Sequence, residues 1–169
     1  TDPGTGQSQL FAGPASGLFS PLAGAYDAAG NLYVADVLQS RIDRFDSAGR
    51  RTTFADLSDG IVAPTGLAFD ASGNLYVANY LGKTVVRLDV AGNGAVDGLT
   101  SPFDVAVDSA GNFFVADLDS HQVLKFTAPH TANVFADAGD GLFTPIGLAI
   151  DTTDNVYVSD VLTSRVLKF

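Results

Sequence analysis

The chain has 169 residues, 46% of them hydrophobic, with no Cys and a formal charge of −10. That length and apolar content give one globular domain, able to bury roughly 70% of the surface its unfolded form exposes, and exclude a disordered chain. The charge excludes a phosphate-binding surface, which needs clustered Lys and Arg, and the missing Cys excludes disulfides and thiolate metal sites. All nineteen acidic residues are Asp. Asp favours turns where Glu favours helices, so the acids alone point to a turn-dense, helix-free fold. No apolar run is long enough to span a membrane as a helix. The first residue is not Met, which reads as a processed or excised form whose targeting signal is hidden.

One phrase recurs four times along the chain, over residues 21–36, 64–79, 102–117 and 145–160. Each copy opens on Pro (Pro21, Pro64, Pro102, Pro145), and the spacings are 43, 38 and 43 residues. A period in this range means propeller blades. Within each copy a short strand a, such as 66–69, leads through a five-residue Asp-x-x-Gly-Asn turn into strand b, such as 75–78. Asp caps that turn and Gly supplies its positive φ, as over Asp27–Asn31 and Asp70–Asn74; in the last copy Asp154 stands in for Gly. Strand b is apolar throughout, so both of its faces are buried between neighbouring blades. Strand c follows with an apolar, apolar, basic, apolar pattern, as over Val85–Leu88, with Asp43 interrupting it in the first copy. Strand a carries Ala25, Ala68, Ala106 and Ala149 in one column, small because it lies nearest the axis.

Strand d is the weakest signal. Eleven-residue stretches from Phe54 to Pro64 and from Phe135 to Pro145 match a third from Phe11 to Pro21 that no blade precedes. The fourth repeat stops after strand c at Phe169. Joining the ends restores a full repeat, so residues 1–20 read as the missing outer strand of the last blade. Residues 9–13 are expected to pair with the strand ending at Phe169. The expected architecture is an all-β, four-bladed propeller in one domain. Its blades are 21–63, 64–101, 102–144 and 145–169 plus 1–20, the last completed in cis or by a neighbouring chain.

The phrase, with the Arg-x-x-[Arg/Lys]-Phe type strand after it, resembles NHL repeats over residues 21–169. That resemblance implies a β-propeller, a family usually six-bladed, whose members include lyases, RNA-binding and protein-binding modules and secreted bacterial proteins. Relatives of gluconolactonase hold calcium with a Glu and several Asn or Asp, and a chain without Glu does not carry that pattern. Peptide-amidating lyases of similar fold hold zinc with His. Here His121 and His130 fall in loops expected at opposite ends of a blade, so they read as solvated residues rather than ligands.

Other chemistry is thin. No nucleophile elbow, Cys–His pair or phosphate loop is present. Asp56, Asp59 and Gly60, like Asp137, Asp140 and Gly141, resemble calcium loops but lack the alternating ligand series, so they read as turns. Asp36, Asn79, Asp117 and Asp160 recur after strand b in every blade and read as caps of the b–c turn. Asp104 breaks the pattern where Gly66 and Gly147 stand elsewhere. With the other four it makes an acidic axial mouth that could bind a cation or ligand. The basic column Arg44, Arg87, Lys125 and Lys168 reads as side chains ion-paired with neighbouring blades, with snorkelling stems.

The functional expectation is therefore a non-catalytic, secreted binding or structural module, extracellular or periplasmic, without catalytic residues, metal or cofactor. Its partner would be a protein or carbohydrate ligand, or itself, and neither nucleic acid nor a membrane span. One alternative is a self-assembling filament subunit that donates its N-terminal strand to a neighbour. The other is a cation-dependent hydrolase or lyase using the axial site near Asp104.

Overall fold

Fifteen strands in four antiparallel sheets build the protein, a computed structural model that describes residues 10–89, 94–127 and 131–169. The first sheet holds β1 (Pro21–Tyr26), β2 (Leu32–Asp36), β3 (Arg41–Phe45) and β4 (Arg51–Ala55) in chain order. The second holds β5 (Pro64–Phe69), β6 (Leu75–Asn79), β7 (Thr84–Leu88) and a short β8 (Gly94–Val96). The third holds β9 (Pro102–Val107), β10 (Phe113–Asp117), β11 (Gln122–Thr127) and β12 (Thr131–Ala136). The fourth holds β13 (Pro145–Ile150), β14 (Val156–Asp160) and β15 (Arg165–Lys168). The only helical pieces among the described residues are three-residue 3₁₀ turns.

The repeated phrase produces the same local structure each time. Asp27 Oδ1 accepts the backbone N–H groups of Ala29 and Asn31, and its Oδ2 accepts the Asn31 side-chain amide. Asp70, Asp108 and Asp151 repeat this around Asn74, Asn112 and Asn155. Gly73 and Gly111 turn the chain at φ of 84° and 81°, and Asp154 takes the same region at 62°. Asp154 adds a bond the turn does not need: its carboxylate accepts the N–H and hydroxyl of Ser109, linking the turns of the third and fourth sheets. Each leading Pro is followed by a β-bulge, with Pro64 opposite Asn79 but Gly66 opposite Ala78. That extra residue in strand a recurs in all four sheets.

The sheets stack face on face, β1 against β5, β5 against β9 and β9 against β13. Tyr33, Ala35 and Ile42 of the first sheet meet Leu67, Val77 and Leu88 of the second. Tyr76, Ala78 and Val85 then meet Val105, Phe113 and Val115, and Phe114 and Val123 meet Val156 and Val158. β6 and β10 are buried at every residue, as strands covered on both faces must be. β14 instead alternates, with Val156 and Val158 buried and Tyr157 and Ser159 only half-buried. No other sheet covers its second face among the described residues.

The expected pairing of residues 9–13 with the last strand is not seen. Among the described residues the fourth sheet has three strands, and Leu10–Gly13 form none; residues 1–9 lie outside the described residues. The segment lies instead over the first sheet. Leu18 is buried with Val34 and Phe45, and the Phe11 ring contacts Phe45 at 6.1 Å between centroids. Polar bonds fix it there, since Arg41 donates to the Gly17 carbonyl at 2.6 Å. The outward face of the first sheet would otherwise leave Phe45 and Val34 in water, and the nearest apolar stretch of chain covers them.

Candidate functional site

The residues expected at an axial mouth share one end of the molecule, where each strand a begins and each strand b ends. Asp36, Asn79, Asp117 and Asp160 do not line an opening there. All four are buried, none more than 2% exposed. Their carboxyl and amide groups are engaged by the connector that enters the same sheet. Asp36 accepts Phe19 N–H at 2.8 Å and Ser20 N–H at 2.9 Å. Asp117 accepts Thr100 and Ser101 N–H at 2.9 and 2.6 Å, and Asp160 accepts Phe143 and Thr144 N–H. Asn79 accepts Val62 N–H and donates to the Gly60 carbonyl and the Thr84 hydroxyl. The b–c turn is thus not their main partner, although Asp160 also accepts Thr163 N–H. Burial raises the Asp160 carboxyl, but the N–H groups of Phe143, Thr144 and Thr163 outweigh it and hold the group at about 2.

Asp104 sits apart from these four, where the first strands converge. Its Oδ2 accepts Leu148 N–H of the next sheet at 2.8 Å and its Oδ1 accepts the Val105 N–H at 2.9 Å. Gly66 explains the room it has, since a Cβ there would stand 2.5 Å from Asp104 Oδ1. Burial pushes the carboxyl up to about 6, against the opposing pull of the two backbone donors. The group thereby satisfies a backbone N–H of β13.

Asp56 and Asp59 form a capping box on a 3₁₀ turn, with Gly60 left-handed at its end, and Asp137, Asp140 and Gly141 repeat it. The expected ion pairs with neighbouring blades are not what these residues form: Arg87 pairs with Asp89 at 2.6 Å and Lys125 with Asp108 at 3.4 Å, in both cases within one repeat. The Lys125 and Lys168 ammonium groups also lie over the Phe114 and Tyr157 rings. Asp43, the break in the first strand c, is buried between Arg41 and Arg51. His121 is exposed and hydrogen-bonds the Phe143 carbonyl, while His130 lies outside the described residues. Among the described residues, no three His or Asp side chains converge as a metal site would require.

What the sequence pattern did not flag is the apolar character of this loop end. Leu38, Leu81 and Leu162 stand in the loops after strand b, 70%, 65% and 73% exposed. Phe19, Leu57 and Phe143, in the connectors that enter β1, β5 and β13, are exposed at the same end of the fold, whereas Leu99 before β9 is buried. The pattern was readable as one apolar residue shortly after each buried Asp or Asn.

Two family models match parts of the chain, an SMP-30/gluconolactonase/LRE-like region over residues 26–104 and an NHL repeat over residues 99–126. No curated protein matches it in sequence. Among solved structures, a gluconolactonase from Xanthomonas campestris superimposes with a TM-score of 0.79 at 19% identity, over 90% of this chain and 58% of that one. Virginiamycin B lyase from Staphylococcus aureus gives 0.73 at 12%, over 88% and 55%. A structure of a nidogen/laminin complex gives 0.76 at 22%, over 90% and 60%. The chain therefore spans little more than half the length of these structures, and the likeness establishes the fold. No helix among the described residues is long and apolar enough to cross a membrane.

Proposed function

We propose that the chain, which has the fold of β-propellers and an NHL-repeat match over residues 99–126, is a non-catalytic binding module whose loop end docks a protein partner. The observation that carries this is the exposed apolar set at one end of the fold, Phe19, Leu38, Leu57, Leu81, Phe143 and Leu162. Large apolar side chains clustered on an exposed surface mark interaction sites in soluble proteins. The polar residues around them are already committed to the protein's own backbone, as the bonds of Asp36, Asn79, Asp117 and Asp160 describe. A propeller of similar fold is found in a complex of nidogen with laminin, which supports the same use of the architecture.

The test uses a neutral hydrophobic dye. Native protein should enhance Nile red emission, and the triple variant L38D/L81D/L162D should lose most of that enhancement. Each substitution is at an exposed loop site, so stability should change by no more than about 0.5 kcal/mol apiece. An unchanged dye signal in the variant would remove the apolar surface as the basis for binding. A divalent cation held stoichiometrically by the purified protein would overturn the non-catalytic part.

Self-association is the second reading, favoured by the uncovered second face of the fourth sheet. Val166 on that face is 69% exposed, and Leu22 and Tyr26 are exposed on the outward face of the first sheet. Faces of this kind pair between successive sheets inside the molecule, so a second copy offers a matching surface. Light scattering over a concentration series decides between the readings. A mass rising from 17.5 kDa to its double supports self-association, and a constant 17.5 kDa refutes it.

A further inference from the structure

The second sheet is built differently at its outer edge, and the difference leaves a hollow. β4 and β12 each contain a bulge beside strand c, with Ile42 opposite Ala55 but Asp43 opposite Thr53, and Val123 opposite Ala136 but Leu124 opposite Val134. The bulged residues are Phe54 and Phe135, whose rings stand edge-on to Tyr33 and Phe114 at 4.8 and 4.9 Å. β8 pairs with β7 without a bulge, Val85 opposite Val96, Val86 opposite Ala95 and Arg87 opposite Gly94. The second repeat is the short one, and the ring that should lie over Tyr76 is missing from it.

The space is open between the second and third sheets, a hollow of about 210 Å³ lined by Tyr76, Phe113, Val85, Val96, Arg87 and Gly94. A Cβ built at Gly94 would meet nothing within 4 Å. Its walls are apolar and aromatic, apart from the Arg87 guanidinium and the Tyr76 hydroxyl that interacts with it. Arg87 Nε is buried and has no hydrogen-bond partner among the described residues, while the guanidinium's other side is held by Asp89 at 2.6 Å. Buried donors are nearly always satisfied, so an orphan in the wall of a hollow points to a missing acceptor. Asp89 already neutralises the guanidinium, and the chain carries −10 overall, so that acceptor need not and should not be an anion.

We propose that this hollow is a binding site for a small neutral aromatic compound bearing one acceptor oxygen. The ring takes the place that Phe54 and Phe135 fill in the other sheets, against Tyr76 and Phe113. The oxygen accepts from Arg87 Nε after a small turn of the guanidinium. The size is adequate, since an apolar cavity of about 150 Å³ is enough to bind benzene. The site is independent of the loop end proposed above for a protein partner.

Benzamide is the probe, titrated into the native protein and followed by NMR. A ligand of this size in such a pocket should bind with a Kd on the order of 1 mM, with one site per chain. Shift changes should be confined to residues around Tyr76, Val85, Val96 and Phe113. Gly94→Phe fills the hollow from the strand that lacks the ring, and should weaken benzamide binding at least about tenfold while raising Tm. Gly94→Val, a smaller change on the same strand, serves if the Phe variant does not fold and should weaken binding in the same direction. Arg87→Met keeps the apolar stem, so it should abolish the preference for benzamide over toluene without abolishing ring binding. Failure of benzamide to saturate the native protein, or equal binding by the Gly94 variants, would overturn the proposal.

Discussion

Replacing Asp117 by Ala should destabilise the protein by about 3–5 kcal/mol, on hydrogen bonds to a charged acceptor of about 1.5–3 kcal/mol each. The carboxylate is buried and accepts the Thr100 and Ser101 N–H groups through its two oxygens. Truncation leaves both donors facing the cavity it creates, without their acceptor. At about 2–4 °C per kcal/mol for a domain of this size, the melting temperature should fall by roughly 6–20 °C. Asp117→Asn should cost about half as much, because an amide oxygen can keep one of the two bonds. The second sheet shows that an amide can serve there when acceptors are supplied, since Asn79 finds the Gly60 carbonyl and the Thr84 hydroxyl. The third sheet offers no such pair to an Asn at 117 among the bonds described. Urea unfolding of the two variants checks this, and an Ala variant within about 1 kcal/mol of native would show that the connector is held by other means.

How much of this was legible in the sequence depended on the reach of each interaction. The Asp27–Asn31 turn and its three copies were readable because donor, acceptor and the left-handed residue, Gly in all but the last, lie within five residues. Strand b was readable because burial on both faces leaves an apolar run. The recurring Asp36 column was legible as structural, but its partners were assigned to the wrong loop. The N–H groups it accepts stand 16 and 17 residues upstream, a distance that no local pattern reveals. Asp154 looked like a tolerated replacement for Gly, and only the stacking of sheets shows its bonds to Ser109, 45 residues away. The N-terminal segment matched the other connectors in length and in Phe11. Matching apolar residues do not say which sheet they cover, and Phe45 and Val34 claimed them first. The hollow beside Tyr76 was present as a short 38-residue repeat, but a count cannot say which side chain is missing.

Asp104 should make stability fall as pH rises from about 4 to about 6, the reverse of what an ion-paired Asp produces. Burial places its native carboxyl at about 6, above the ordinary 3.8. Between those values the folded protein holds a proton that the unfolded chain has released. Protons bound in excess by the native state stabilise it as pH falls, so this contribution is complete below about 4 and lost as pH rises through 6. A displacement of about two pH units corresponds to about 3 kcal/mol at most. Asp160, held at about 2, and Asp151, held lower still by its bonds to Asn155 and Thr153, act in the opposite sense. Their stabilisation is present above the ordinary Asp value and is lost only as pH falls below about 4. The two windows do not overlap, so stability should be greatest at about pH 4–5. Asp104→Asn removes the titration while its amide oxygen can still accept from Leu148 N–H. The variant should therefore be flat across the upper window, where the native protein loses stability. Chemical denaturation of both proteins at several pH values measures the difference directly, and parallel curves between about pH 4 and 7 would show that Asp104 titrates as an ordinary solvated carboxylate.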